Sequence, residues 1–203
     1  MRDSDAPATR DDLPIVARGA RLALTFVLIP LSWKAFHNEY GAVPFLDGID
    51  LAIHEFGHML FMPFGIAFLG RTMVILGGSL TQVMFPLIFA TYFLRDHESG
   101  KRDLHAAMLC VWWASMNLLS VAMYCADAGP MKLMLVSGGT GQEVEGHDWN
   151  NLLRGWGALH HYAGIARGMR AVAWLLCVAS ILIGFVAAWN AGRPSDTHIA
   201  PDS

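Results

Sequence analysis

Charge is what this chain has least of. Only 15% of its 203 residues are Asp, Glu, Lys or Arg, where a soluble domain carries about 25%. With 54% hydrophobic residues and a mean hydropathy of +0.39, that shortage excludes an ordinary water-soluble domain. It points to a one-domain integral membrane protein. A basic excess is missing as well. The formal net charge is −3, so no basic surface offers itself to nucleic acid. Cysteine is scarce, and Cys110, Cys125 and Cys177 all fall inside apolar runs. They read as free thiols filling core space rather than as disulfides or metal ligands. No internal repeat and no soluble accessory segment interrupt the pattern.

What is there is a series of apolar runs with short polar connections. The expectation is an all-α, polytopic membrane helix bundle of about five spans plus one short amphipathic helix. A polar tail covers residues 1–16, the membrane domain 17–190, and a second polar tail 191–203. The first span is expected from Ala20 to Phe36, bent near Pro30. A second helix begins near Asp47 or Asp50, where acidic residues suit a helix N-terminus. Pro63 and Gly65 signal its kink or early end. Thr72–Leu94 and Leu104–Ala126 contain no Asp, Glu, Lys or Arg at all. Ala171–Trp189 is the last span. With five crossings, Lys and Arg accumulate on the side of the N-terminus, which favours a cytoplasmic N-terminus. The expected location is the cell (inner) membrane, with the lipid bilayer as immediate partner and the oligomeric state undefined.

Three local features add detail. Gly77-Gly78-Ser79 allows close helix packing, or else a break that frees backbone edges for an extended substrate. Met131–Val136 reads as an interfacial strand or a re-entrant piece. Leu152, Leu153, Trp156, Leu159 and Ala163 recur at helical spacing and predict the short amphipathic helix.

One stretch is out of place in so apolar a chain. His54-Glu55-Phe56-Gly57-His58 is an H-E-x-x-H motif inside the apolar run Leu51–Leu69. On a helix the two His lie one turn apart on one face, so both imidazoles can reach one zinc ion. Glu55 is offset around the helix and can act on water at the metal without ligating it. A carboxylate and two imidazoles are costly at membrane depth, about 2.5–3.5 kcal/mol for the acid alone. A bound cation gives them a reason to be there. The competing reading is a structural polar cluster.

Catalytic zinc takes three protein ligands and leaves one position open. The third must come from elsewhere: Asp127, His147, Asp148, His160 and His161 are the candidates. Asp148 is preferred, because a carboxylate suits zinc and the glycine-rich approach lets the chain turn back into the bundle. An N-cap on the following helix is its alternative role. Asp50, one turn before His54, is either an acidic first-turn residue or the acceptor of the second ring N–H of His54. Asn117 either bonds to a neighbouring helix or, like Gln82, orients a substrate.

The five motif residues, with their Phe-Gly filling and hydrophobic setting, resemble the active-site motif of site-2-type intramembrane zinc metalloproteases. The resemblance covers those residues and the order of spans. It implies that His54 and His58 bind zinc, that Glu55 is the general base, and that a distant Asp completes the site. In the family that Asp commonly follows Leu or Pro and precedes Gly; here the only Leu-Asp-Gly, Leu46-Asp47-Gly48, precedes the motif. The expected function is hydrolysis of peptide bonds in membrane-protein or peptide substrates. The alternatives are a non-proteolytic membrane protein with a structural or regulatory zinc site (scaffold, sensor or assembly factor), and a metal transporter. The transporter lacks a second set of intramembrane carboxylates along a path.

Overall fold

The computed structural model describes residues 13–38, 41, 43, 45–64, 70–95 and 102–191. Six α-helices follow one another: α1 (Leu13–His37), α2 (Leu46–Phe64), α3 (Gly70–Leu94), α4 (Leu104–Ala126), α5 (Asp148–Gly155) and α6 (Tyr162–Asn190). A single 3-10 turn, Leu159–His161, leads into α6. The described residues contain no strand, only an isolated bridge between Met134 and Thr140. The chain is an all-α helix bundle, as its run pattern requires.

Among the described residues four helices are long and apolar enough to cross a membrane: α1 from Ile15, α3, α4, and α6 with its leading turn. The exception is the motif helix. In 19 residues α2 carries Asp47, Asp50 and Glu55, too many carboxylates for a lipid-crossing segment. The expected count of five spans is therefore corrected to four plus α2, and the sidedness drawn from five crossings no longer follows. The outer faces are apolar all the same. Phe26, Trp33, Ile88, Leu175 and Leu182 are exposed, and so are Phe56, Met59 and Met62 of α2. A soluble monomer does not present so much contiguous apolar surface.

Several boundaries move. Helix α1 starts at Leu13, inside the expected polar tail, and runs through Pro30. Helix α2 is described as far as Phe64, one residue past Pro63 and in keeping with an end there; Gly65 and the rest of the run to Leu69 lie outside the described residues. Gly70 and Arg71 open α3 ahead of the apolar run from Thr72, and Arg167 and Arg170 lie within α6 ahead of the run from Ala171. The amphipathic helix is shorter than its periodicity indicated. It stops at Gly155, and Gly157 takes a left-handed φ of 67°. Leu159 and Ala163 therefore belong to the next turn and to α6. Most of both polar tails, 1–12 and 192–203, lies outside the described residues.

Helix α4 is the centre of the bundle. One core, built on Trp112, Met116 and Leu119, packs against Leu28 and Ala35 of α1 and Ala173 and Cys177 of α6. A second core joins Val121 and Cys125 to Trp149, Leu152 and Leu153 of α5 and Ala166 of α6. The three Cys are free, as expected. A buried polar pair joins α4 to α1: Trp112 Nε1 donates to Ser32 Oγ, whose own proton goes to the Leu28 carbonyl. Asp103 caps α4 by accepting from Ala106 N and reaches Arg21 of α1 at 2.9 Å.

Helix α2 lies on α3, and glycine makes the close approach possible. A Cβ on Gly57 would overlap the Gly77 carbonyl oxygen, and one on Gly77 would lie 2.8 Å from the Gly57 oxygen. Of the two readings of Gly77-Gly78, packing is the one observed, with α3 unbroken.

Candidate metal centre

The contact of α2 with α3 sets the site. His54 is buried and His58 half-buried on the face of α2 turned to α3. Their rings stand edge to face with centroids 4.9 Å apart. Each ring is held from behind by its Nδ1. His54 Nδ1–H donates to Gln82 Oε1 at 3.0 Å, and His58 Nδ1–H to the Val74 carbonyl at 2.7 Å. Carbonyl oxygens only accept, so both protons sit on Nδ1 and both Nε2 lone pairs face forward. This is the arrangement in which imidazole ligates a metal.

The third group arrives from α5. Asp148 Oδ2 lies 3.3 Å from His54 Nε2 and 3.2 Å from His58 Nε2. The three ligand atoms all lie within 4.8 Å of one another. Donors about 2.05 Å from a tetrahedral zinc stand roughly 3.3 Å apart, so both carboxylate-to-imidazole spacings match such a site. Burial opposes the charge of Asp148, but the two imidazoles facing it outweigh that when their Nε2 atoms carry protons, and hold the carboxyl below the usual carboxylate range. It presents the anionic form that a cation takes.

The loop before α5 shows why Asp148 is available. The N-cap is His147, whose Nδ1 accepts from Asn150 N. Asp148 is the first helical residue and its carboxylate is left to face the His pair. His147 is fixed in turn: its Nε2 lies 3.2 Å from Asp127 Oδ2, and its ring stacks on Tyr124 at 4.5 Å. Asp127 also accepts from Lys132 N and Leu133 N, both at 2.9 Å. On the far side, Trp149 Nε1 donates to Ser79 Oγ and pins α5 to α3.

Among the five candidates for the third position, then, only Asp148 joins the His pair. Asp127 and His147 are anchors of α5. His160 and His161 are exposed and stack on each other in the 3-10 turn. The second-ring partner of His54 is Gln82, not Asp50; Asp50 accepts from Trp113 Nε1 at 2.8 Å. Gln82, read from the sequence as a substrate-orienting group, thus serves the histidine. Of the two readings of Asn117, contact with a neighbouring helix holds and substrate orientation does not. It is fully buried against Asp50 of α2 and off the cavity wall.

The site opens into a cavity of about 830 Å³. His54, Glu55, His58 and Asp148 line it, with Tyr124, Asp47, Asp50 and Gln82 on its walls and Leu133–Ser137 along its rim. The stretch Met131–Val136 forms no strand beyond the bridge at Met134, and from Leu133 on it is part of this rim, with Met134 and Val136 exposed. Glu55 is exposed to the cavity rather than packed away.

Sequence reasoning missed three contributors. The Val74 carbonyl carries no sequence signal. Tyr124 ends an apolar run like any interfacial aromatic. Gly78 was legible only as a small packing residue, yet its missing side chain is the space the two imidazoles occupy. Removing the Gln82 oxygen tests the support behind His54. Gln82→Leu is expected to weaken zinc binding about 10–100-fold, measured by competition with a chromogenic chelator. Unchanged affinity would mean that the bond does not orient the ring.

Compared with protein-family models, with curated proteins and with solved structures, the chain finds no match. The class of protein is therefore set by its own fold and site: a membrane helix bundle with two histidines and an aspartate converging beside an open cavity.

Proposed function

We propose that the chain is a multi-pass intramembrane zinc metallopeptidase, similar to site-2-type proteases, that hydrolyses peptide bonds of membrane-embedded substrates. The observation that carries this reading is the convergence of His54 Nε2, His58 Nε2 and Asp148 Oδ2 within 4.8 Å of one another, with the carboxylate 3.2–3.3 Å from each imidazole and Glu55 on the wall of the same cavity. The donor set of two neutral imidazoles and one carboxylate is that of a catalytic zinc site with an open position.

Zinc held there supplies a Lewis acid for the scissile carbonyl and brings water near neutrality in acidity. The protein supplies the rest. Gln82 and the Val74 carbonyl keep both rings in the ligating tautomer. Glu55 takes a proton from the attacking water as its oxygen bonds to the carbonyl carbon, then passes that proton to the amide nitrogen as the C–N bond breaks. One peptide and one water give one acid and one amine. A substrate helix must unwind first, because its carbonyls are occupied in the helical ladder.

A purified, folded sample is expected to contain about one zinc per chain and to cleave model transmembrane peptides. A chelator should stop cleavage and added zinc restore it. A folded sample with no transition metal would sink the reading. One zinc without cleavage of any peptide would favour the structural or regulatory metal site instead.

A further inference from the structure

We infer that the Tyr124 hydroxyl donates a hydrogen bond to the scissile carbonyl oxygen as that oxygen takes on negative charge. The inference rests on the peptidase reading above and adds to it a residue that the motif does not name.

Tyr124 stands at the last turn of α4 and lines the cavity with His54, Glu55 and Asp148. Three contacts fix it. Its ring stacks on His147 at 4.5 Å and meets the His54 ring edge to face at 6.2 Å. Its oxygen accepts the backbone N–H of Asp148 at 3.0 Å. A phenol both accepts and donates. The accepting side is used, while no acceptor among the described residues takes its proton. That O–H is an unspent donor against the backbone of Asp148, the residue whose Oδ2 reaches both imidazoles.

The placement suits a charge that develops during reaction. When water oxygen bonds to the carbonyl carbon, the electron pair of the C=O bond moves to the carbonyl oxygen. A fixed donor stabilises that oxygen more than the neutral carbonyl of the bound peptide. The Tyr124 proton stays on Tyr124 throughout; the proton that moves is the one Glu55 carries. Because the ring is already clamped by His147 and by Asp148 N, little reorganisation is needed as charge appears.

The full chain, in wild-type form and as Tyr124→Phe, tests this with three readouts. These are kcat and KM on a transmembrane peptide, zinc per chain, and the Kd of a phosphinic peptide that mimics the tetrahedral carbon. The expected result is a kcat about 10²-fold lower, with KM and zinc content unchanged and the phosphinic peptide bound at least about 10-fold more weakly. A variant that cleaves and binds the phosphinic peptide like wild type overturns the assignment and leaves the peptidase reading intact. A variant that loses zinc along with cleavage also overturns it, since Tyr124 would then serve only to seat Asp148. A zinc-loaded wild type that neither cleaves nor binds the phosphinic peptide overturns both.

Discussion

Glu55→Gln is expected to lower peptide cleavage by about 10²–10⁴-fold while leaving zinc in place. The size follows from what the substitution removes. Gln keeps the shape of Glu and its hydrogen-bonding reach but has no basic oxygen, so nothing takes the proton from the attacking water. The retention of zinc follows from the site. The converging donors are His54, His58 and Asp148, while Glu55 is exposed to the cavity one residue around the helix. Zinc content by elemental analysis and cleavage of a transmembrane peptide, on the same preparation, check both halves. Equal cleavage by Glu55→Gln and wild type would remove Glu55 from the chemistry. Loss of zinc would make it a ligand, contrary to the geometry.

That prediction was readable in the sequence, and the reason is periodicity. Two His four apart and a Glu between them have only one relative placement on a helix. Nothing beyond α2 is needed to put both imidazoles on one face. The spans were legible for the same reason: a run such as Leu104–Ala126, with no charged residue, has one physical explanation. Asp148 was a harder matter. It lies far along the chain from His58, so its arrival depends on His147 taking the cap and on Trp149 finding Ser79. Both are tertiary outcomes that no local pattern encodes. The alternative in which Asp50 supports His54 failed on the same distinction. One helical turn puts the two on one face, but Trp113 of α4 claims Asp50, and Gln82 of α3 stands behind the ring instead. Helical spacing says which residues share a face; it does not say what packs against that face. The shortened α5 is a third case, where apolar periodicity ran on past a glycine whose left-handed φ ends the helix.

Gly78→Ala is expected to empty the metal site without unfolding the bundle. An added Cβ at Gly78 would lie 2.6 Å from both His54 Nε2 and His58 Nε2, inside any real carbon–nitrogen contact. What gives way decides the outcome. The atoms in its path are the tips of two side chains, which can swing aside at little cost to the backbone. At Gly57 the obstruction is the backbone oxygen of Gly77, so Gly57→Ala must push α2 off α3. The two alanines therefore separate site from fold. Gly78→Ala keeps the helical bundle but turns both ligating nitrogens away from Asp148, and the bonds to Gln82 and the Val74 carbonyl go with them. Displacing two of three ligands costs more than losing a supporting bond, so zinc affinity should fall by more than about 100-fold. Gly164→Ala on α6, where an added Cβ meets nothing within 4 Å, supplies the control and should hold zinc like wild type. Zinc titration and thermal unfolding of the three proteins in one detergent make the comparison. If Gly78→Ala bound zinc normally, the two imidazoles would have to meet their cation somewhere other than against α3, and the site built here from Gly77-Gly78, Gln82 and Val74 would be the wrong one.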